Sequence, residues 1–228
     1  MTTNKSSRKS PVRKLPSSLY REAHAIIRNK YTLLRTLPDG MNYQAQEKLI
    51  DKLFKKMFPN NTDIHDVTTK LVALNAFYSV HLYGISAMAQ SIVHSIPSFD
   101  TDVRSGSTKL VSTLAHSGDG KKVYRSFATK YCACHNPKAF PIYDEIVRTF
   151  LAKVIGKGNL PPYQDSMTGA LGKMEGSYEY YVEVYDAFRK KYHLTSLTYR
   201  QVDWYIWVAN KTKNSAHLSH LDLFKLIK

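Results

Sequence analysis

Residues 116–147 read HSGDGKKVYRSFATKYCACHNPKAFPIYDEIV. Their spacing predicts a glycine-containing hairpin, a basic helix beginning near Lys121, a proline-bounded turn, and Asp144 at the head of an apolar helix over 145–154. In that last helix Ile146, Val147, Phe150, Leu151 and Val154 share one face. Gly118-Asp119-Gly120 allows a tight turn whose backbone N–H groups face an anion. The helix that follows turns its positive end toward that turn. From Arg104 to Lys130 the bases are Arg104, Lys109, Lys121, Lys122, Arg125 and Lys130, against the single acid Asp119. Such an arrangement can hold a phosphate backbone without reading bases; an ordinary loop with solvated lysines is the plain alternative. Asp144 has two readings as well. Aspartate is a favoured N-cap, and a lone carboxylate beside a basic glycine turn also suits nucleic-acid chemistry.

Outward from this stretch the pattern is helical in both directions. Helices are expected over 18–37, where Leu19, Ala23, Ile26, Ile27, Tyr31, Leu33 and Leu34 share a face, and over 43–58. A long central helix starts at Thr62 or Asp63 and carries Ile64, Val67, Leu71, Leu74 and Tyr78 inward, with Val72, Phe77 and Leu82 widening the stripe until Gly84. Further helices are expected over 86–95, 108–114, 178–191 and 218–227. Another opens at Thr198, which forms a capping box with Gln201. Residues 163–175 fit no single pattern. No run alternates with period two for long, so the chain is expected to be all-α, with eight to ten helices.

Composition narrows the partners. Lys and Arg number 33 against 18 Asp and Glu, a net charge of +15 in 228 residues. That excess favours anionic partners. Residues 1–17 hold Lys5, Arg8, Lys9, Arg13 and Lys14 and no acid, which reads as a disordered basic arm ahead of a folded 18–228. Cys132 and Cys134 are the two cysteines. They are too close for an ordinary loop disulfide, and no second pair completes a four-cysteine metal or cluster site. The expectation is an intracellular, reduced chain with no metal or other cofactor, no membrane span and no secretory signal.

The run 114–154 resembles the active-site region of the helix-hairpin-helix (HhH-GPD) DNA glycosylase superfamily, in which a Gly-x-Gly hairpin precedes a helix, a proline-containing turn and a catalytic aspartate. Gly118 and Gly120 match the hairpin glycines, and PKAFPIYD, ending at Asp144, resembles the turn and aspartate of the alkylation-repair branch. LNAFYS, from Leu74, resembles the early helix that lines the pocket and presents a wedge residue. DWYIW, from Asp203, resembles the late helix behind it. The SFATKYC–HNP–PIYD core is also similar to that of a group of uncharacterised bacterial proteins.

The resemblance implies a two-lobed helical bundle and a monomeric DNA glycosylase of base-excision repair. Its substrate would be a damaged or modified base flipped out of double-stranded DNA, in the cytoplasm at the nucleoid, or in the nucleus of a eukaryotic host. Asp144 would be catalytic. Ser117, Gly118, Gly120, Lys121, Lys122 and Arg125 would hold DNA, and Asn75, Tyr78, Tyr124, Tyr143 and Trp204 would form the pocket or wedge. Core packing is the competing reading for each tyrosine, Tyr131 included, and Trp207 is taken as structural. Breaking an N-glycosidic bond builds positive charge on the sugar, which a carboxylate stabilises while it orients water, and the base must first leave the stack.

The chain also departs from the pattern. Ala115-His116-Ser117 stands where Leu-Pro normally precedes the first glycine. Lyase-competent members place a Schiff-base lysine two residues after the second glycine, which here is Lys122, about one helical turn too far from Asp144. Anchoring the helix on Ala128 instead places that position on Ser126, and no lysine then serves. A monofunctional enzyme with Lys122 on phosphate is therefore expected. The alternative is a non-catalytic nucleic-acid-binding module on the same scaffold.

Overall fold

A computed structural model describes residues 18–37, 42–78, 80–118, 122–214 and 220–228. The expected basic arm, and Gly120 and Lys121 of the hairpin, lie outside these residues. Twelve α-helices and no strand occur among the described residues, so the protein is all-α. In order they are α1 (Ser18–Leu34), α2 (Tyr43–Lys52), α3 (Ile64–Tyr78), α4 (Ile85–Gln90), α5 (Phe99–Ser105), α6 (Thr108–Ala115), α7 (Arg125–His135), α8 (Glu145–Gly156), α9 (Met167–Gly176), α10 (Tyr178–Lys191), α11 (Tyr199–Thr212) and α12 (Asp222–Lys225). A π-helical turn extends α2 over Leu53–Met57, and another extends α4 over Ser91–Ser95.

Local chemistry explains the boundaries. Asn42 caps α2 by accepting from the Ala45 amide at 3.0 Å. The capping box of α11 forms as expected: the Gln201 amide donates to Thr198 Oγ1 at 3.2 Å, and the Thr198 amide to Gln201 Oε1 at 2.8 Å. The third helix stops at Tyr78, well before Gly84. Asn75 is the cause. Its Oδ1 accepts from the Leu82 amide at 3.0 Å and its Nδ2 donates to the Leu82 carbonyl at 3.3 Å. This bracket folds the chain back and buries Leu82, through a His81 backbone at φ +53°. Val72 is 50% exposed, so the expected inward stripe is narrower than drawn. The pattern missed α5 and left α9 ambiguous. Phe99 and Val103 are the buried anchors of α5, and Ala170 and Met174 those of α9, too few to make a period.

One core runs through the molecule. The first helix lies along α11, α6 along α7, and α8 against both α9 and α11. On α10, Tyr178, Tyr181, Tyr185 and Phe188 are buried at helical spacing. Glu22 of α1 ties down the far end of the chain. Its carboxylate accepts from Tyr205 Oη at 2.5 Å and from the Asp222 and Leu223 amides at 2.7 and 3.1 Å, which caps α12.

The end of α2 is sealed by a buried amine. Lys70 Nζ donates to the carbonyls of Phe58 and Asn60 at 3.1 and 2.8 Å and to Asn61 Oδ1 at 2.7 Å. Tyr131 Oη also donates to that Asn61 oxygen, at 2.6 Å. Its three acceptors account for Lys70 as a structural residue.

His135 closes the same aromatic cluster, with ring centroids 4.9 Å from Phe54 and 5.4 Å from Tyr131. Its Nε2 is buried and meets no hydrogen-bond partner. Burial, with Lys70 nearby, pushes its pKa down from 6.5 to about 3. The unfolded chain therefore takes up a proton that the folded chain refuses, and stability drains away as pH falls from about 6.5 toward 3. His135→Leu removes that proton uptake. In urea titrations the variant should gain on the wild type as pH is lowered through this window; a difference independent of pH would refute the buried neutral imidazole.

Candidate active site

Asp144 reaches its position through a segment with no regular structure that is nevertheless tied down at successive peptide groups. After α7, Asn136 Nδ2 donates to the Val103 and Arg104 carbonyls at 3.0 and 3.2 Å, pinning the turn to the end of α5. Side chains then satisfy the backbone of Pro141-Ile142-Tyr143. Tyr178 Oη donates to the Pro141 carbonyl at 2.9 Å and Tyr181 Oη to the Ile142 carbonyl at 2.8 Å. The Ile142 amide donates to Asp203 Oδ2 at 3.2 Å, and the Tyr143 amide to Thr129 Oγ1 at 3.0 Å. Buried peptide groups outside secondary structure need such partners. Here they come from α7, α10 and α11. Asp144 follows at once. Its Oδ1 accepts from the Ile146 amide at 2.8 Å, capping α8. No described residue donates a hydrogen bond to its Oδ2.

Asp144 opens onto a cleft of about 450 Å³, inside the range of ligand pockets. Tyr43, Gln46 and Glu47 of α2, Phe77 and Tyr78 at the end of α3, and Lys130 of α7 line it. So do Ile142, the start of α8 and a stripe of α11. That stripe is Arg200, Asp203, Trp204, Trp207 and Lys211, spaced to share one helical face. A smaller hollow of about 240 Å³ between α1 and α2 has no carboxylate among its lining residues.

The charges in the larger cleft are interlocked. Lys130 is 8% exposed; its Nζ donates to Ser126 Oγ at 2.9 Å and lies 5.9 Å from the centre of the Tyr78 ring. Burial holds the amine below the usual lysine range, Asp144 pulls it back up, and Arg200 adds to the lowering. Arg200 donates to Tyr78 Oη at 3.0 Å and stacks 4.8 Å from the centre of Trp204. Lys30 also lies over Trp204, at 4.4 Å. The Trp204 Nε1 donates to Glu47 Oε1 at 3.1 Å, while Glu47 Oε2 accepts from Lys30 at 3.0 Å and from the Tyr31 hydroxyl. Burial alone would raise the Glu47 carboxyl; the Tyr31 hydrogen bond and the Arg200 and Lys30 charges hold it below the usual range. Asp203 goes the other way. Burial pushes it up to about 7, against the Tyr185 hydroxyl that donates to its Oδ1 at 2.7 Å.

Of the residues expected at the site, Asp144, Tyr78 and Trp204 meet in this cleft. Asn75, Tyr124 and Tyr143 do not line it. Asn75 brackets Leu82, Tyr124 is buried at the head of α7, and Tyr143 packs edge-on against Tyr181 and accepts from Arg148 at 2.9 Å. Nor do the described residues assigned to DNA, Ser117, Gly118, Lys122 and Arg125. Ser117 Oγ donates to the Thr113 carbonyl at 2.9 Å, and the Gly118 amide donates to Ser91 Oγ at 3.2 Å. Gly118 itself has φ +92°, the conformation expected of a turn glycine. Arg125 donates to the carbonyls of Met174 and Glu175, closing α9, because α7 begins at Arg125 and not near Lys121. Lys122 lies at the surface, 5.1 Å from the centre of the Tyr83 ring. Trp207, expected to be structural, is half-buried at the cleft wall. Sequence reasoning missed Lys130, Arg200 and Lys211. A signal existed for two of them: Arg200, Trp204, Trp207 and Lys211 recur at i, i+4, i+7 and i+11, a second stripe beside the apolar one.

No group of three or more His, Cys, Asp or Glu among the described residues could hold a metal ion. No described helix is long and apolar enough to cross a membrane. Both cysteines are unbridged, and burial pushes both thiols up, Cys134 to about 12.

Comparison with known proteins finds no matching solved structure. An "Uncharacterized protein" of Haemophilus influenzae (strain ATCC 51907 / DSM 11121 / KW20 / Rd) is 38% identical over 94 residues, 40% of this chain and 46% of that protein. The chain is thus similar to less than half the length of that relative. The family model HI_0787_N, described as an N-terminal domain, matches residues 28–139. That span takes in Glu47, Tyr78 and Lys130 of the cleft and ends just short of Asp144.

Proposed function

We propose that the protein is a DNA glycosylase that hydrolyses the N-glycosidic bond of a damaged or modified base, with Asp144 as the catalytic carboxylate. The observation that carries this reading is the division of labour at Asp144: one oxygen caps α8, and the other is left for a cleft with aromatic walls and three cations. A base turned out of its stack fits between such walls. As the bond to the base breaks, positive charge grows on the sugar, and the carboxylate beside it stabilises that charge and orients the attacking water. Lys130 and Arg200 meet the anionic strand or the base edge. The same reading takes the fold as the two-lobed helix-hairpin-helix type and the biological setting as base excision. A purely DNA-binding module is less favoured, because a capping aspartate needs no cleft in front of it. The test is to incubate the protein with genomic DNA and heavily modified DNA and identify released bases by mass spectrometry. Release above a protein-free control supports the reading; salt-sensitive binding with no release from any substrate supports the non-catalytic module.

A second reading rests on Lys130. A buried amine held below the usual lysine range, next to Asp144, has the character of a nucleophile. It would attack C1′ of the sugar, expel the base and, after ring opening, leave an imine in place of the water-derived product. Hydrolysis predicts that borohydride reduction during turnover yields no protein–DNA adduct. An adduct in the wild type that disappears in Lys130→Met would replace hydrolysis by imine chemistry.

A further inference from the structure

The chemistry just described uses one end of the cleft. Along α11 the wall continues from Arg200 to Lys211, eleven residues or roughly 16 Å at 1.5 Å per residue. That is several times the 3.4 Å rise per nucleotide along one strand of a duplex. The far end has its own construction. Trp207 stands nearly perpendicular to Tyr43 (68°, 5.6 Å) and to Trp204 (84°, 5.7 Å), so aromatic neighbours on two helices fix its orientation. Lys211, one turn further on, is exposed, with its ammonium 5.7 Å from the centre of the Trp207 ring. Gln46 of α2 adds a polar edge.

We propose that this Tyr43–Trp207–Lys211 end binds the nucleotide next to the one held at Asp144, its base stacked on Trp207 and its phosphate on Lys211, so that unpaired DNA is the preferred ligand. The inference rests on the nucleic-acid reading of the cleft. A fixed aromatic ring beside a lysine is how single strands are held without regard to sequence. A base paired inside a duplex has both faces covered by its neighbours and cannot lie on Trp207, so the flanking nucleotide must be unpaired. The preferred ligand thereby shifts from an intact duplex with one flipped base to an opened or single strand.

The chain has two tryptophans, and both line the cleft, so its indole emission reports from there. In Trp204→Phe, Trp207 is the sole reporter. Titrating that full-length variant with a short oligothymidylate should quench its emission, and a duplex of equal length should bind at least about tenfold more weakly. Lys211→Ala should reduce the slope of log affinity against log salt by about 0.7, the share of one phosphate on a single strand. Trp207→Leu should weaken binding about tenfold, measured by anisotropy of a labelled oligonucleotide. Should Trp204→Phe not fold, the difference between wild-type and Trp207→Phe emission reads the same contact. Saturating binding with unchanged Trp207 emission, or duplex binding equal to or tighter than single-strand binding, overturns the proposal. Base release is a separate measurement: a protein that quenches but releases no base keeps this site and loses the glycosylase reading, and one that releases base without quenching does the reverse.

Discussion

Asp144→Asn should lower base release by at least about a hundredfold while leaving stability and DNA affinity nearly unchanged. The observed cap and the proposed catalytic role of Asp144 respond differently to this substitution. Asparagine and aspartate are equivalent N-caps, so the amide oxygen can still accept from the Ile146 amide. What disappears is the negative charge facing the sugar. Loss of a single group that stabilises transition-state charge costs about 10²–10³ in rate, and loss of a general base about 10²–10⁴. Asp144→Ala removes cap and charge together and should cost about 1 kcal/mol of stability besides. Unfolding midpoints, an anisotropy titration and released base measured by mass spectrometry separate these outcomes. Full release by the asparagine variant would reduce Asp144 to a helix cap.

Asp203→Ala should destabilise the protein by about 3 kcal/mol and impair release without touching Asp144. The substitution strands two buried donors, the Ile142 amide and the Tyr185 hydroxyl. Unsatisfied buried groups cost about 1–3 kcal/mol each. The Ile142 amide lies two residues before Asp144, so the carboxylate loses its anchor, and misplacement by about 1 Å can cost about a hundredfold in rate. The pH dependence has a definite sign. With a pKa raised from 3.8 to about 7, folded Asp203 keeps a proton that the unfolded chain releases. Its contribution to stability is complete below about pH 4 and is lost as pH rises through 7. The stability gap between wild type and Asp203→Ala should therefore be wider at pH 5 than at pH 8 in urea titrations. A gap that is the same at pH 5 and pH 8 would mean that Asp203 is held as a carboxylate throughout.

Particular residues mark how far the sequence could be read. The head of α8 was legible because a proline turn, an aspartate and an apolar 3.6-residue period coincide there, and α10 and the capping box of α11 were legible for the same kind of reason. Such signals act between residues a few positions apart. Lys130 was visible as one base of a basic helix, but what makes it chemically distinct is burial beside Tyr78, Asp144 and Arg200, from three other stretches of the chain. Spacing tells which side chains share a face and not what that face meets. Tyr143 and Tyr78 are equally aromatic in sequence, yet one packs on Tyr181 and the other lines the cleft. Arg125 was read as a phosphate contact, and spacing gave no sign that its guanidinium closes α9. Glu22 gave no local sign of capping α12, since its partners lie some 200 positions away.

The turn before Asp144 is a loop by shape alone. Its peptide groups are bonded to Thr129, Tyr178, Tyr181 and Asp203, which belong to three helices of the core. Opening it requires several of those bonds to break together, which sets it apart from loops that fray on their own. The segment should therefore open with the core helices it is bonded to and not by itself. Asp144, mounted on it, is held by the core and not by a free loop.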